Sequence, residues 1–206
     1  MLSIQEVVEQ TRNALQMLID RMGLNLAVGP LKESDYRLLS SGMFGELNWE
    51  WGISKYTGQE NSVDLCFKIL SVKEEYPAGI ALCAYRTDTQ AFEIYMIENF
   101  VRDQDGHPLC KRMALFTFMG AFIFTDAVEG SHIIIDEPDE ALRDYYSQFG
   151  FEDDPGCSYR MSCTLETLRA IITNPENGCS CKRHILKFVD DWYTKTTTYR
   201  WIFVYN

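Results

Sequence analysis

The sequence predicts an α/β domain: a mixed, mostly antiparallel sheet flanked by helices, with an extra helix at each end. Residues 63–101 hold strand-like runs joined by short turns, the pattern of an antiparallel meander. Residues 93–151 then read strand, loop, helix, strand, helix, an order in which a crossover helix joins two neighbouring parallel strands. The apolar run Met113 to Phe124 sits between those two strands, with Lys111, Arg112 and Asp126 close by. It falls short of the ~20 residues that cross a bilayer, so it reads as a buried helix.

Each element has a local reason. Ser3-Ile4-Gln5-Glu6 is a capping box, and Ile4, Val7, Val8, Leu15, Leu18, Ile19 and Met22 follow at helical spacing, which predicts a first helix ended by Gly23. Residues 24–28 read as a strand closed by Gly29-Pro30, and residues 33–39 as a short helix. Residues 42–60 mix glycines and polar residues with Phe44, Trp49, Trp51 and Tyr56 and read as an irregular loop pinned by its aromatics. Strands are expected over 63–72, 80–86 and 93–101. A polar loop at 102–107 leads to a helix over 109–128 opened by Pro108, then a strand at 132–136 and a helix at 139–148. A turn at 153–156, a returning strand at 158–163 and a short helix at 164–172 complete the core, taken as 24–172. Residues 179–206 form a hydrophobic helix-and-strand extension that docks on the domain or on a second copy, which would make a homodimer. The whole chain reads as a single domain.

The charge balance narrows the classes of function. With 30 acidic against 19 basic residues the net charge is −11, which argues against nucleic acid as a partner, because such binding rests on Lys and Arg neutralising phosphates. At the N-terminus no charged stretch precedes a short apolar run and cleavage site, so no signal peptide is expected. The odd number of cysteines, seven, with Cys66, Cys83 and Cys163 inside apolar runs, fits reduced core thiols and a cytoplasmic location.

At Leu142-Arg143-Asp144-Tyr145-Tyr146-Ser147-Gln148-Phe149-Gly150-Phe151 the sequence resembles the end of the acyl-CoA-binding core of the GNAT superfamily of N-acyltransferases. There a helix ends in an aromatic residue followed, after three residues, by Gly-Phe. The resemblance in order and spacing covers roughly residues 60–163. It implies a GNAT-like mixed sheet, acetyl-CoA (coenzyme A) as cofactor, and an amine of a small molecule or protein as acceptor.

What the resemblance implies about residues follows the family's layout. The thioester arm lies between two parting parallel strands, here the backbone of 98–101, including Phe100 and Val101, and Ile135-Asp136. The family's diphosphate loop, Arg or Gln, two residues, Gly, any residue, Gly or Ala, falls on Gly106, Leu109 and Lys111, so the glycines are absent. Leu109, Cys110, Lys111 and Arg112 are then the cofactor-binding candidates, the two basic side chains supplying neutralisation in the helix's first turn. Tyr146 takes the place of the tyrosine that protonates the departing thiolate, and Asp139 that of an asparagine seven residues earlier, itself a helix-cap type. Glu98 is the candidate base. Glu93 has opposite parity if the strand is regular, so only one of the two should face the site. His107 is a weaker base candidate, and Glu46, Trp49 and Glu50 are candidates for acceptor selectivity. The degenerate loop keeps a rival open: a catalytically inactive GNAT-like protein that binds a macromolecule through an acidic, aromatic surface. Cys179, Cys181 and His184, with Cys157, depart from the usual zinc spacing, and no metal site is assigned.

Overall fold

Ser3 starts the first helix as its spacing predicts. In the computed structural model, which describes residues 2–173 apart from 43 and 73, its hydroxyl accepts from the Glu6 N–H while the Glu6 carboxylate accepts from the Ser3 N–H. The helix, α1 (Ile4–Arg21), turns Val7, Val8, Ala14, Leu15, Leu18 and Ile19 inward. The chain then runs through β1 (Leu26–Pro30), α2 (Glu33–Ser40), α3 (Trp49–Tyr56), β2 (Ser62–Asp64), β3 (Phe67–Ser71), β4 (Gly79–Arg86) and β5 (Ala91–Asn99). It continues through α4 (Met113–Ala127), β6 (His132–Asp136), a 3-10 turn (Glu140–Leu142), α5 (Arg143–Ser147), β7 (Glu152–Asp154), β8 (Cys157–Thr164) and α6 (Leu165–Thr173).

The strands form one eight-stranded sheet in the order β1-β3-β4-β5-β6-β8-β7, with β2 also paired to β4. Only β5 and β6 are parallel; every other pair is antiparallel. This is the mixed, mostly antiparallel GNAT-type arrangement that the resemblance implies. α4 is apolar all round because it is covered on every side: β4, β5 and β6 lie beneath it, and α1 and α6 flank it. Phe116, Phe118, Phe122 and Phe124 carry this main core. A smaller core on the opposite face joins Trp49 and Leu39 to Ile80, Leu82 and Met96, so α2 and α3 form the third layer. No helix among the described residues is long and apolar enough to cross a membrane.

The structure corrects several boundaries. Residues 49–56 are helical rather than loop: the Asn48 side chain accepts from the Trp51 N–H and caps α3, a start signal hidden among aromatics. The strand expected over 63–72 is two strands, because the Asp64 carboxylate accepts from the Cys66 N–H and jogs the chain there. α4 starts at Met113, four residues later than expected, because Lys111 takes a left-handed backbone (φ 58) that no helix continues through. Of the turn expected over 153–156, Asp153 and Asp154 belong instead to β7, paired with β8, and only residues 155 and 156 turn. The helix expected at 139–148 divides into the 3-10 turn and α5. The extension at 179–206, with Cys179, Cys181 and His184, lies outside the described residues.

Candidate active site

The site is built where the two parallel strands part. β5 pairs with β4 along its full length, from Ala91 opposite Arg86 to Asn99 opposite Gly79. Its parallel pairing with β6 runs only from Ala91 beside His132 to Ile94 beside Ile135. Beyond Ile94, β5 continues for five residues with no strand on that edge, while β6 ends one residue later at Asp136. Phe100 donates its N–H to the Ala78 carbonyl on the β4 side, so by alternation the groups of neighbouring residues face the open side.

The parting begins at a β-bulge. Opposite Leu82 and Cys83 the register skips Tyr95, so Tyr95 and Met96 both join the smaller core instead of alternating. One extra residue inverts the parity of everything after it. Glu93 and Glu98 therefore lie on the same face, correcting the expectation that only one of them does.

Glu98 is nearly buried, 7% exposed, and both carboxylate oxygens are engaged. One accepts from the Glu46 N–H at 2.5 Å and the other from Trp49 Nε1–H at 2.5 Å. A Cβ on Gly45, whose φ is +87, would fall 2.5 Å from the same carboxylate, so glycine is required there both for the backbone and for the close approach. The Glu46 side chain closes the arrangement by accepting from Arg102 at 2.8 and 2.7 Å. Of the three selectivity candidates, Trp49 is thus a buried anchor, Glu46 a latch to Arg102, and Glu50 exposed.

Glu93, 6% exposed, accepts from the Tyr95 hydroxyl and lies 3.7 Å from the Arg160 guanidinium. Arg160 donates to Asp136 at 2.8 Å, and Asp136 also pairs with Lys55 at 2.5 Å. A chain of alternating charges therefore crosses the sheet at the start of the gap, linking β5, β8, β6 and α3. Neither Arg160 nor Lys55 stood out in the sequence. Pairing 132–136 antiparallel with 158–163 sets Arg160 beside Asp136 and was the one signal available for it.

The loop between β5 and α4 is held by its own groups. Asn99, another residue sequence reasoning missed, accepts from the Val101 N–H at 3.2 Å and donates to the Leu109 carbonyl at 3.0 Å. His107 Nδ1 accepts from the Leu109 N–H at 3.1 Å, while its Nε2 lies 3.3 Å from Glu74. The Cys110 N–H donates to the His107 carbonyl and the Arg112 N–H to that of Leu109. Leu109 itself is fully buried. Of the expected anion donors, Leu109, Cys110 and Arg112 are thus committed internally, and Arg112 Nη1 donates to the Pro108 carbonyl at 2.5 Å. The first N–H groups of α4 have no carbonyl one turn back, and Arg112 makes no side-chain cap. Lys111 precedes it in the left-handed conformation that glycine adopts most readily, at a cost of about 1–2 kcal/mol for a residue with a Cβ. The loop keeps a glycine-like backbone without the glycine. An open strand edge and an anion-favouring helix start fit a thioester arm ending in a diphosphate.

Tyr146 projects from α5 and is 7% exposed. Its ring packs edge-on against Phe118 at 6.0 Å and Tyr145 at 5.8 Å. Burial, with smaller contributions from Tyr145 and Asp139, pushes its hydroxyl up to about 12. Asp139 lies close enough to act on it while accepting from the Ala141 N–H at 2.9 Å to cap the 3-10 turn, which matches the cap expected from the sequence.

No protein-family model matches the sequence, and no curated protein does. Among solved structures the chain is similar to the ribosomal-protein-S18-alanine N-acetyltransferase from Escherichia coli, at 11% identity over 68% of this chain and 94% of that one, with a TM-score of 0.44. It is also similar to a chimera of the spermidine N-acetyltransferase from Vibrio cholerae, at 12% identity over 70% and 98%, TM-score 0.47. A third is the PaiA N-acetyltransferase from Thermoplasma acidophilum in complex with coenzyme A, at 11% identity over 68% and 99%, TM-score 0.44. The likeness is one of strand and helix arrangement, and the site stands on this chain's own geometry.

Proposed function

We propose that the chain is an acetyl-CoA-dependent N-acyltransferase acting on an amine of a small molecule or protein. The observation that carries this reading is the parting of β5 from β6 beyond Ile94 and Ile135, at a bulge that turns two carboxylates to one face. Phe100 and Val101 border the open edge. Lys111 and the first N–H groups of α4 would hold the diphosphate, with Leu109, Cys110 and Arg112 keeping the loop in shape around it. The bound acyl-CoA would supply an activated thioester carbonyl.

The chain's residues then handle position and protons. Glu98, fixed by Trp49 and Glu46, accepts the amine proton directly or through water, with Glu93 as second carboxylate on the same face. Tyr146 Oη carries a proton at neutral pH and would donate it to the leaving sulfur, as a weaker acid than an exposed tyrosine because burial raises its pKa to about 12. Asp139 holds the 3-10 turn that leads into α5. The buried thiols of Cys66 and Cys83, whose pKa values burial pushes up, suit a reducing, cytoplasmic setting.

The test is release of free thiol from acetyl-CoA in the presence of a panel of primary amines, with the amide identified by mass spectrometry. Turnover is expected with at least one amine, and Tyr146→Phe should lower kcat by about 10²-fold or more. Absence of thiol release across the panel would remove the enzymatic reading. A second reading, a GNAT-like binder without catalysis, is favoured by the internal commitment of the Leu109, Cys110 and Arg112 N–H groups. Replacing Lys111 and Arg112 together by Ala distinguishes the two. Unchanged biological activity in a folded variant favours the binder, and lost activity a cofactor site.

A further inference from the structure

Lys55 is a side chain of α3 whose ammonium ends in a cage on another part of the fold. Its Nζ lies 2.5 Å from Asp136 Oδ2 and 2.8 Å from Glu137 Oε1, and 4.9 Å from the centre of the Trp51 ring. Trp51 and Lys55 are four residues apart and share one helix face. The cage is more than a surface ion pair. Asp136 is 5% exposed, its Oδ1 is taken by Arg160 at 2.8 Å, and its buried Oδ2 has no partner besides the Lys55 ammonium. The geometry at Oδ2 is that of an ion pair rather than an aligned hydrogen bond. Glu137 reaches the cage from a left-handed turn, φ 49, held by its N–H on the Tyr159 carbonyl at 2.8 Å.

The location gives the cage its meaning. Asp136 directly follows Ile135, the last residue of β6 paired in parallel to β5, so the ammonium stands at the lip of the gap. Two carboxylates and an aromatic face around a cation form a complete recognition site for an unbranched primary ammonium. The net charge of −11 draws cations toward it.

We propose that Trp51, Asp136 and Glu137 form a subsite for a primary alkylammonium group, and that Lys55 fills this subsite as a resident occupant which an incoming amine must displace. That the ammonium is the acyl acceptor rests on the N-acyltransferase reading; the binding site does not. The ligand class is an ammonium on a straight methylene chain, whether a free alkyl diamine or a lysine side chain of a peptide. A resident occupant lowers apparent affinity by the fraction of molecules in which the site is free.

The experiment vacates the cage with Lys55→Ala and titrates n-butylammonium chloride against equal sodium chloride, reading the thermal unfolding midpoint. The expected result is a rise of about 2 °C or more in the variant, none in the wild type, and none in Lys55→Ala combined with Asp136→Asn. If Lys55→Ala does not fold, Lys55→Met keeps the stem, and methylammonium becomes the probe. Repeating the titration with an alkyl diamine and with a lysine-containing peptide shows which source binds more tightly. Equal responses in wild type and variant, or an undiminished response in the double variant, would overturn the proposal. In turnover, the KM for the amine should fall about tenfold or more in Lys55→Ala if the occupant fills the site nine-tenths of the time. Turnover with an unchanged KM sinks the cage and leaves the acyltransferase reading standing. Ammonium binding without turnover on any amine does the reverse.

Discussion

At Glu98 one side chain carries an architectural duty and, in the proposed reaction, a chemical one. Its carboxylate fastens the 45–49 segment to β5 through the Glu46 N–H and Trp49 Nε1–H. Trp49→Phe removes one donor from a buried carboxylate while keeping most of the ring volume. The expected loss is about 1–3 kcal/mol in chemical denaturation, and a change under ~0.5 kcal/mol would show that this bond contributes nothing. Tyr146→Phe should behave in the opposite way, with stability within ~0.5 kcal/mol of wild type and the loss appearing in kcat alone. The residue pattern of the site was only partly readable. The helical place of Tyr146, four residues before Gly150, and the cap at Asp139 showed in sequence because they depend on local spacing. Asn99, Arg160 and Lys55 did not, because their partners at Leu109, Asp136 and Glu137 are supplied by other elements.

Among the elements, β5 shows most clearly where sequence reasoning fails. Its strand character was plain, but a bulge at Tyr95 leaves no mark in an apolar run, and it decides which carboxylates face together. Deleting Tyr95 would restore regular alternation and turn Glu93 away from Glu98. The expected result is a variant that keeps its far-ultraviolet circular dichroism and loses acyl transfer, and retained turnover would contradict the assigned face. α4 shows the complementary failure. Pro108 and the apolar run suggested a start near 109, and only a left-handed backbone at Lys111 moved it to Met113. At the edge of the sheet, β1 is covered by Gln16 of α1, which accepts from the Val28 N–H at 2.8 Å and donates to the Leu26 carbonyl at 3.1 Å. Gln16→Ala should cost about 1–2 kcal/mol for the two bonds and raise the tendency to self-associate along the exposed edge, which light scattering during mild heating would register.

The whole molecule is a sheet between two unequal helical layers, and the candidate site divides between its faces: Glu93 and Glu98 lie on the side of the lighter layer, α2 and α3, while Tyr146 packs in the main core on the side of α4. The heavy layer sets stability: Phe118 meets Phe149 and Phe151 at 4.9 Å and Tyr146 at 6.0 Å, so Phe118→Ala should cost about 3–5 kcal/mol and loosen α5 with it. The light layer is tied down by charge, through Lys55 to Asp136. Burial opposes the charged form of Lys55, but the carboxylates of Asp136 and Glu137 outweigh it and raise its pKa above 10.5. A raised pKa means stabilisation fully present below about 10.5 and lost as pH climbs through the folded value. The stability difference between wild type and Lys55→Met should therefore be flat from pH 6 to 9 and shrink only above ~10.5; a difference that changed between pH 6 and 9 would assign it to another group.

The claim on which the site depends is that the gap between β5 and β6, with α4 opening onto it, receives an acyl-CoA. Calorimetric titration of the full chain with coenzyme A tests it most directly. Saturable binding at one site per chain is expected, weakened about tenfold or more when Lys111 is replaced by Ala, as for the loss of ~1.4 kcal/mol of charge-assisted contact. No heat and no shift in thermal unfolding at millimolar coenzyme A would contradict it.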